Sequence, residues 1–453
     1  MQIFTAYKVK IIRSEKEFSK TAKVYQSALH YLLDVVAHEW PILKDIKADG
    51  TEKVSTGQLR RMTLERLVHK TAKTPFPKYH FDEKFYKLPS YLRRAAMMEA
   101  LGMYSSFQSN LANWEQKSKK SRGRKPHFPT VGRSFPAMYH RDLFRPTENP
   151  YVAKIKVFIR NTWDWLTVQL RKSDVDYIAR HCQNRKMSSP TLRQRGNNWY
   201  LDFSFEERAE LKKTKLKDTI VLGVDLGLNS ACVCSAMKAD GTVIGRKFLD
   251  LPVEKDRLSH ILGQIRKSQR LGGQKNTARW ARTNGINKHM AQQTAKFITG
   301  AAEKFGADVI VFEHLNFRGE KRLGKYAQKM ALWKANEIQR ITTDKAHRLG
   351  MHISHICARN TSKLAFDGSG EVKRNPKNYS VCKFKTGKQY NCDLSASYNI
   401  GARYFIRALL KPLSKRARLD MEAKVPSCSK RITCTLSTLI SLRAAMAPSG
   451  AVC

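Results

Sequence analysis

Three acidic residues stand where an isolated charge is unexpected. Asp225 ends the apolar run TIVLGVD, Glu313 ends the apolar part of VIVFEHLN, and Asp393 opens the helical stretch DLSASYNIGARYF. An ionised carboxylate is expensive to bury unless it is paired or holds a cation. Each acid alone has an ordinary explanation, a solvated strand end for Glu313 or a helix cap for Asp393. Three such acids in one region offer hard oxygen ligands for Mg²⁺. Two Mg²⁺ ions can activate a water and stabilise the leaving oxygen when a phosphodiester is cut. A strand followed by Asp-x-Gly also suits an actin-like or sugar-kinase phosphate site, but that reading leaves Glu313 and Asp393 unused.

The elements that must position these acids are legible in outline. From Lys217 onward, strands alternate with helices: TIVLGVDLG, ACVCSAM and TVIGRKFL read as strands, the last after a turn at Asp240–Gly241. Helical spacing follows over Glu254–Arg270, Lys288–Phe305 and about Tyr326–Leu349. DVIVFEHL is a near-continuous apolar run, as expected inside an α/β sheet, and MHISHIC is a further strand. Upstream, MQIFTAYKVKII alternates as a strand, and helices are expected over Glu15–Trp40, 56–70 and 90–117. Beyond the basic Gly/Pro-rich stretch 118–135, VAKIKVFI, WDWLTVQL and PTLRQRGNNWYLDFSFE read as strands, with GNN as a hairpin turn. Trp163, Trp165 and Trp199 suit the core of this β-region better than base stacking. After Leu413 no clear period remains, leaving a disordered arm or a docked helix as the options.

Charge narrows the partner. The 453 residues include 84 Lys and Arg against 38 Asp and Glu, a formal net charge of +46. That excess is spread along the whole chain and calls for a polyanion, with nucleic acid the expected partner. Lys119, Lys120, Arg122, Arg124, Lys125, Arg193, Arg195 and Lys267 are the candidate phosphate contacts. No long apolar run suggests a spanning helix or signal peptide, so no membrane partner is expected. Nine scattered cysteines suit a reducing compartment. The expected setting is cytoplasmic, with nucleoid association through DNA.

At these residues the sequence resembles the RNA-guided nucleases that comprise transposon-encoded TnpB proteins and compact type V CRISPR effectors. GVDLGLN resembles the first RuvC motif, VIVFEHLNF the second and CDLSASYNIGARYF the third. GRKPHFPTVG resembles the family's basic Gly–Pro–Phe segment, NNWYLDFSFE the strand before RuvC, and ARNTSK (358–363) the approach to its zinc ribbon. The resemblance is good over about 120–405 and looser in the N-terminal helices. It implies an α+β multidomain fold: an RNase H-like (RuvC) α/β domain with an N-terminal wedge β-barrel and a helical recognition insert. Residues 1–12 would give the first wedge strand, 13–120 the recognition domain, 121–215 the wedge β-barrel, 216–412 the RuvC domain and 413–453 a tail.

The resemblance also implies that Asp225, Glu313 and Asp393 form the catalytic triad. Asp225 would bridge two Mg²⁺ ions, with Mn²⁺ as a possible substitute, while Glu313 holds one and Asp393 completes the other. One site would cut both strands of a target DNA chosen by a guide RNA, leaving 3′-hydroxyl and 5′-phosphate ends. A guided DNA-binding protein with weak or no cleavage, and an unguided resolvase or transposase of the same fold, are the alternatives. The chain departs from the family at the degenerate zinc-ribbon-like insert, 357–392. Ala365-Phe366-Asp367-Gly368 stand in the place of the first CxxC pair, and Lys385 stands where Cys382 would find its partner. Cys357 and Cys392 are at unsuitable spacing to rebuild it, and a tetrahedral site needs four ligands, so no structural zinc is expected.

Overall fold

Apolar periodicity and strand pairing divide the chain into two units, one of residues 2–207 and one of Met1 with 208–453. The computed structural model describes residues 1–13, 16–48, 54–119, 122–132, 134–227, 231–273, 275–315, 332–376 and 378–447. Lys120, residues 228–229 of the first motif, 316–317 of the second and 326–331 of an expected helix lie outside the described residues. No described helix is long and apolar enough to cross a membrane.

The unit of residues 2–207 begins with strand β1 (Gln2–Lys10) and helices α1 (Lys16–Leu43), α2 (Thr56–Val68), α3 (Phe81–Lys84) and α4 (Ser90–Glu115). Phe18, Ala22, Tyr25, Leu29, Leu32 and Val36 bury one face of α1 at helical spacing, and α1 packs on α4. Glu39 is the buried charge on that face, 3% exposed. Hydrogen bonds from Lys78 (2.6 Å) and Tyr79 (2.5 Å) hold its carboxyl down at about 2.

Strands β2 (Phe144–Pro146), β3 (Val152–Ile159) and β4 (Thr162–Gln169) form a three-stranded sheet, and α5 (Lys172–His181) follows. Strands β5 (Lys186–Met187), β6 (Thr191–Arg195) and β7 (Asn198–Arg208) join β1 in a second sheet, with β7 between β1 and β5 and also paired with β6. The GNN hairpin forms as expected, with Gly196 at φ +58°. Trp199 is in the core at 2% exposure; Trp165 is half-buried, with the Arg145 guanidinium 4.2 Å from its ring.

In the other unit, β8 (Ile220–Asp225), β9 (Cys232–Lys238), β10 (Val243–Leu249), β11 (Val309–His314) and β12 (His352–Cys357) make a five-stranded sheet ordered β10-β9-β8-β11-β12. Only β9 runs against the others. Helices α6 (Pro252–Arg270), α7 (Thr277–Lys304) and α8 (Ala335–Arg348) are followed by a small sheet of β13 (Lys373–Arg374), β14 (Val381–Lys383) and β15 (Gln389–Asn391). Helices α9 (Cys392–Leu410), α10 (Lys415–Lys424) and α11 (Leu436–Met446) complete the unit.

One expectation is corrected and one open choice is resolved. The helix expected to start at Lys288 starts at Thr277, because its first turns bury Thr283 and Asn287, which carry no apolar period. For the tail, of the two options the described residues show a docked helix: Thr435 and Thr438 form a capping box, and Leu436, Leu439 and Leu442 are buried in a core shared with α9.

Candidate active site

Register brings Asp225 and Glu313 to the same end of neighbouring strands. Strands β8 and β11 pair in parallel from Val221 opposite Val309 to Val224 opposite Phe312, so the two acids follow as the next residues of each strand. Asp308 fixes this register: its Oδ2 accepts from the Ile220 amide at 3.0 Å and its Oδ1 from the Thr214 hydroxyl at 3.0 Å. Val221, Leu222, Val224 and Val309–Phe312 are all buried, so each strand is apolar until its acid.

Asp393 arrives from the other direction, in the first turn of α9. Asn391 caps that helix by accepting from the Leu394 amide at 2.9 Å. The helix lies directly on β8, and Gly223 makes the approach possible. A Cβ on Gly223 would stand 2.4 Å from the Ser397 carbonyl oxygen and 2.9 Å from the Gly401 nitrogen. Glycine two residues before Asp225 therefore sets the height of Asp393 above the sheet.

The three carboxyls share one electrostatic field. Burial pushes Asp225 well above the usual carboxylate range, repulsion from Glu313 and then Asp393 adds to it, and the Arg374 guanidinium opposes them. Burial also raises Glu313, against the Thr361 hydroxyl and the Arg403 charge. Burial raises Asp393, with Arg374 again opposing. Hard oxygen ligands that each resist ionisation without a cation suit Mg²⁺ in chemistry. Among the described residues no group of three His, Cys, Asp or Glu side chains is already gathered for a metal ion.

Glu313 is the most supported of the three. Its carbonyl accepts from Gln339 Nε2 of α8 at 3.0 Å, and its carboxylate Oε1 accepts from the Thr361 hydroxyl. Thr361 lies in ARNTSK, which the sequence marked only as an approach to the insert. Gln339, Asn399 and Arg403 carry no local sign in the sequence, because their partners are remote in it; Arg374 lies in VKRNPKNY, a stretch whose basic residues suit nucleic-acid contact.

The insert has an apolar centre. Ala365, Cys382, Phe384 and Cys392 are buried together, and the Phe366 ring lies 5.5 Å from Phe384, 5.0 Å from Tyr390 and 5.2 Å from Tyr398. Cys392, at unsuitable spacing for a CxxC pair, is buried in the same cluster as Cys382, whose thiol donates to the Tyr390 carbonyl at 3.4 Å across the β14–β15 hairpin. Burial pushes both up, Cys392 to about 12, so both are neutral thiols.

The candidate phosphate contacts are scattered. Lys119, Arg124, Lys125 and Lys267 are exposed. Arg122 is engaged at the end of α4, donating to the Lys117 carbonyl at 2.8 Å and to the Glu115 carbonyl, with its guanidinium 4.9 Å from the Trp114 ring. Arg195 holds Asp202 through two hydrogen bonds of 2.7 and 2.5 Å, and Arg193 lies 3.6 Å from the same carboxylate.

Residues 5–159 match the Aq_aa04 family. Over 240 residues, 48% of this chain and 77% of the relative, the sequence is 27% identical to a TnpB-like protein, aq_aa05, of Aquifex aeolicus (strain VF5). An uncharacterized protein of the same organism, aq_aa04, is 26% identical over 136 residues, 28% of this chain and 74% of its own. Among solved structures, C2c1 of Alicyclobacillus acidoterrestris in complex with single-guide RNA superimposes with a TM-score of 0.51 at 9% identity, covering 88% of each chain. The resemblance to the TnpB and compact type V family, first carried by the three motifs, thus extends to a relative in sequence and a neighbour in fold.

Proposed function

We propose that this chain, a relative of TnpB proteins, is an RNA-guided DNA endonuclease with a single site at Asp225, Glu313 and Asp393. The observation that carries the reading is the strand register that brings Asp225 and Glu313, remote in sequence, to the same end of a buried sheet, where the charges of Glu313 and Asp393 both oppose ionisation of Asp225. A fold gains nothing in stability from such a cluster, so its presence argues for chemistry. The strand order, with only the second strand antiparallel, supports an RNase H-like domain. The pairing of β1 with β7, which encloses α1–α4 in sequence, supports a wedge region carrying a helical recognition insert.

Asp225, Glu313 and Asp393 would hold Mg²⁺, which when bound supplies activation of a water and stabilisation of the leaving oxygen in phosphodiester hydrolysis. The chain's own part is to keep the acids in place. Strand register fixes Asp225 and Glu313, the Gly223 contact fixes Asp393, and Arg374 on β13 offers a cation beside two of the three acids. The guanidinium, whose charge opposes the raised pKa of both, would help offset the charge of a phosphodiester drawn toward them. Exposed Lys119, Arg124, Lys125 and Lys267, within a net charge of +46, would follow nucleic-acid backbones.

Purification under native conditions, with sequencing of the RNA that accompanies the protein, tests the guided part of this reading. One dominant RNA with a constant structured part joined to a variable guide is the expected result. Random cellular RNA, or none, would leave an unguided nuclease of this fold.

A further inference from the structure

We infer that Thr361 is a positioning residue that orients the Glu313 carboxylate for a cation, and that Asn399 and Arg403 are buried in α9 to hold Thr361 in place. The inference rests on the nuclease reading above and adds to it a set of residues outside the three acids.

Strand β12 ends at Cys357, and the chain then turns through residues 358–364 at the end of the sheet where Glu313 sits. This turn has no helix or strand to fix it, yet Asn399 and Arg403 tie it at three of its carbonyls and at that of Cys357 just before it. Asn399, fully buried, donates through Nδ2 to the carbonyls of Thr361 (3.0 Å) and Leu364 (2.9 Å) and accepts from the Leu436 amide (3.1 Å). Arg403, 5% exposed, donates through Nη1 to the carbonyls of Cys357 (2.7 Å) and Arg359 (2.9 Å). Its Nε and Nη2 reach the carbonyls of Cys434 (3.0 Å) and Ile432 (3.2 Å). The tail is thereby fastened to the same helix as the turn.

A buried guanidinium is costly, and among the described residues no carboxylate lies within ion-pair distance of Arg403. An apolar side chain on α9 would hold the tail more cheaply. What an apolar side chain would not do is fix the backbone on both sides of Thr361. Thr361 is 2% exposed, and its hydroxyl is within hydrogen-bond reach of two acceptors, Glu313 Oε1 and the Ala358 carbonyl (2.8 Å). Its placement between them restricts the carboxylate's rotation about its last bond and keeps the second oxygen, Oε2, for a cation. Gln339 fixes the Glu313 backbone from the opposite side. Residues that orient a ligand are worth about 10- to 100-fold in metal affinity when removed.

The test uses the full chain with its RNA and three variants, Thr361→Val, Thr361→Ser and Asp225→Ala. Mn²⁺ binding to the metal-free protein is measured by calorimetry, and cleavage is measured against Mg²⁺ concentration. Thr361→Val is expected to weaken Mn²⁺ binding and raise the Mg²⁺ needed for half-maximal cleavage by about 10-fold or more. Thr361→Ser, which keeps the hydroxyl, should restore both. If Val does not fold, Thr361→Ala is compared with Ser in its place. Wild-type metal dependence in the hydroxyl-free variant, or equal weakening in Ser, would overturn the positioning role. Asp225→Ala separates the two levels of the argument. If it abolishes cleavage while Thr361→Val changes nothing, only this inference fails; if it leaves cleavage intact, the site assignment itself fails.

Discussion

Asp225→Asn is expected to abolish Mg²⁺-dependent cleavage, by roughly 100- to 1,000-fold or more, while making the metal-free protein more stable at neutral pH. Both effects have one cause. Burial and the charges of Glu313 and Asp393 raise the Asp225 carboxyl well above its ordinary range, so the fold disfavours its ionised form. At neutral pH the unfolded chain ionises Asp225 freely and the folded chain does so against this repulsion, which lowers stability. Asparagine removes that term and should raise the melting temperature by a few degrees. The gain should shrink as pH falls below the ordinary carboxylate range, where Asp225 is protonated in both states. Thermal melts of the metal-free proteins across pH, with and without Mg²⁺, check the prediction. Mg²⁺ should stabilise the native protein and have much less effect on the variant. A variant that is less stable at neutral pH, or still cuts, would mean that Asp225 is a structural partner and not a ligand.

Gly223→Ala should remove activity by a different route. The added Cβ meets backbone, not a side chain that can swing away: the Ser397 oxygen at 2.4 Å and the Gly401 nitrogen at 2.9 Å. Either α9 rises from β8, carrying Asp393 with it, or β8 distorts beside Asp225. Overpacking of this kind costs about 1–3 kcal/mol and sometimes more, and a shift of 1 Å at the acids would lower cleavage by about 100-fold. Gly401→Ala is the matched control. Its Cβ would meet Met237 at 3.6–3.8 Å, ordinary van der Waals contact with a flexible side chain. Chemical denaturation and cleavage rates of the two variants should therefore diverge sharply. If both are equally mild, α9 does not depend on this contact for its height.

What the sequence made legible follows from the range of the interactions involved. Asp225 and Glu313 could be read because each strand is apolar on both faces up to the acid, so the charge breaks a local pattern. Asp393 was legible as an acid in the first turn of a strongly helical stretch, and the structure adds its cap, Asn391. Arg403 and Asn399 carry no such local sign, since their hydrogen bonds reach residues 29 to 46 positions away. Thr361 was noticed only as part of ARNTSK, and nothing in that string shows that its hydroxyl meets an acid 48 residues earlier. The early turns of α7 were missed for a related reason: Thr283 and Asn287 are buried against expectation for their polarity. The tail was the opposite case. Its capping box and three leucines were present in the sequence, but Ser437, Thr438 and Ser441 between them blurred the apolar stripe.

The same limits applied to the cysteines. Cys382 and Cys392 do not have a CxxC spacing, and only folding of the β14–β15 hairpin brings them into one buried cluster. The Phe366 cluster beside them shows that apolar packing occupies this centre of the insert.

Guided cleavage is the central claim, and exchanging the guide tests it most directly. The protein is reconstituted with RNAs that share one constant part and differ only in guide, then given Mg²⁺ and DNA containing both matching sites. Cuts that move from one site to the other with the guide, and vanish with Asp225→Asn, are the predicted result. Cuts at unchanged positions, or cuts that persist after the RNA is removed, would contradict it.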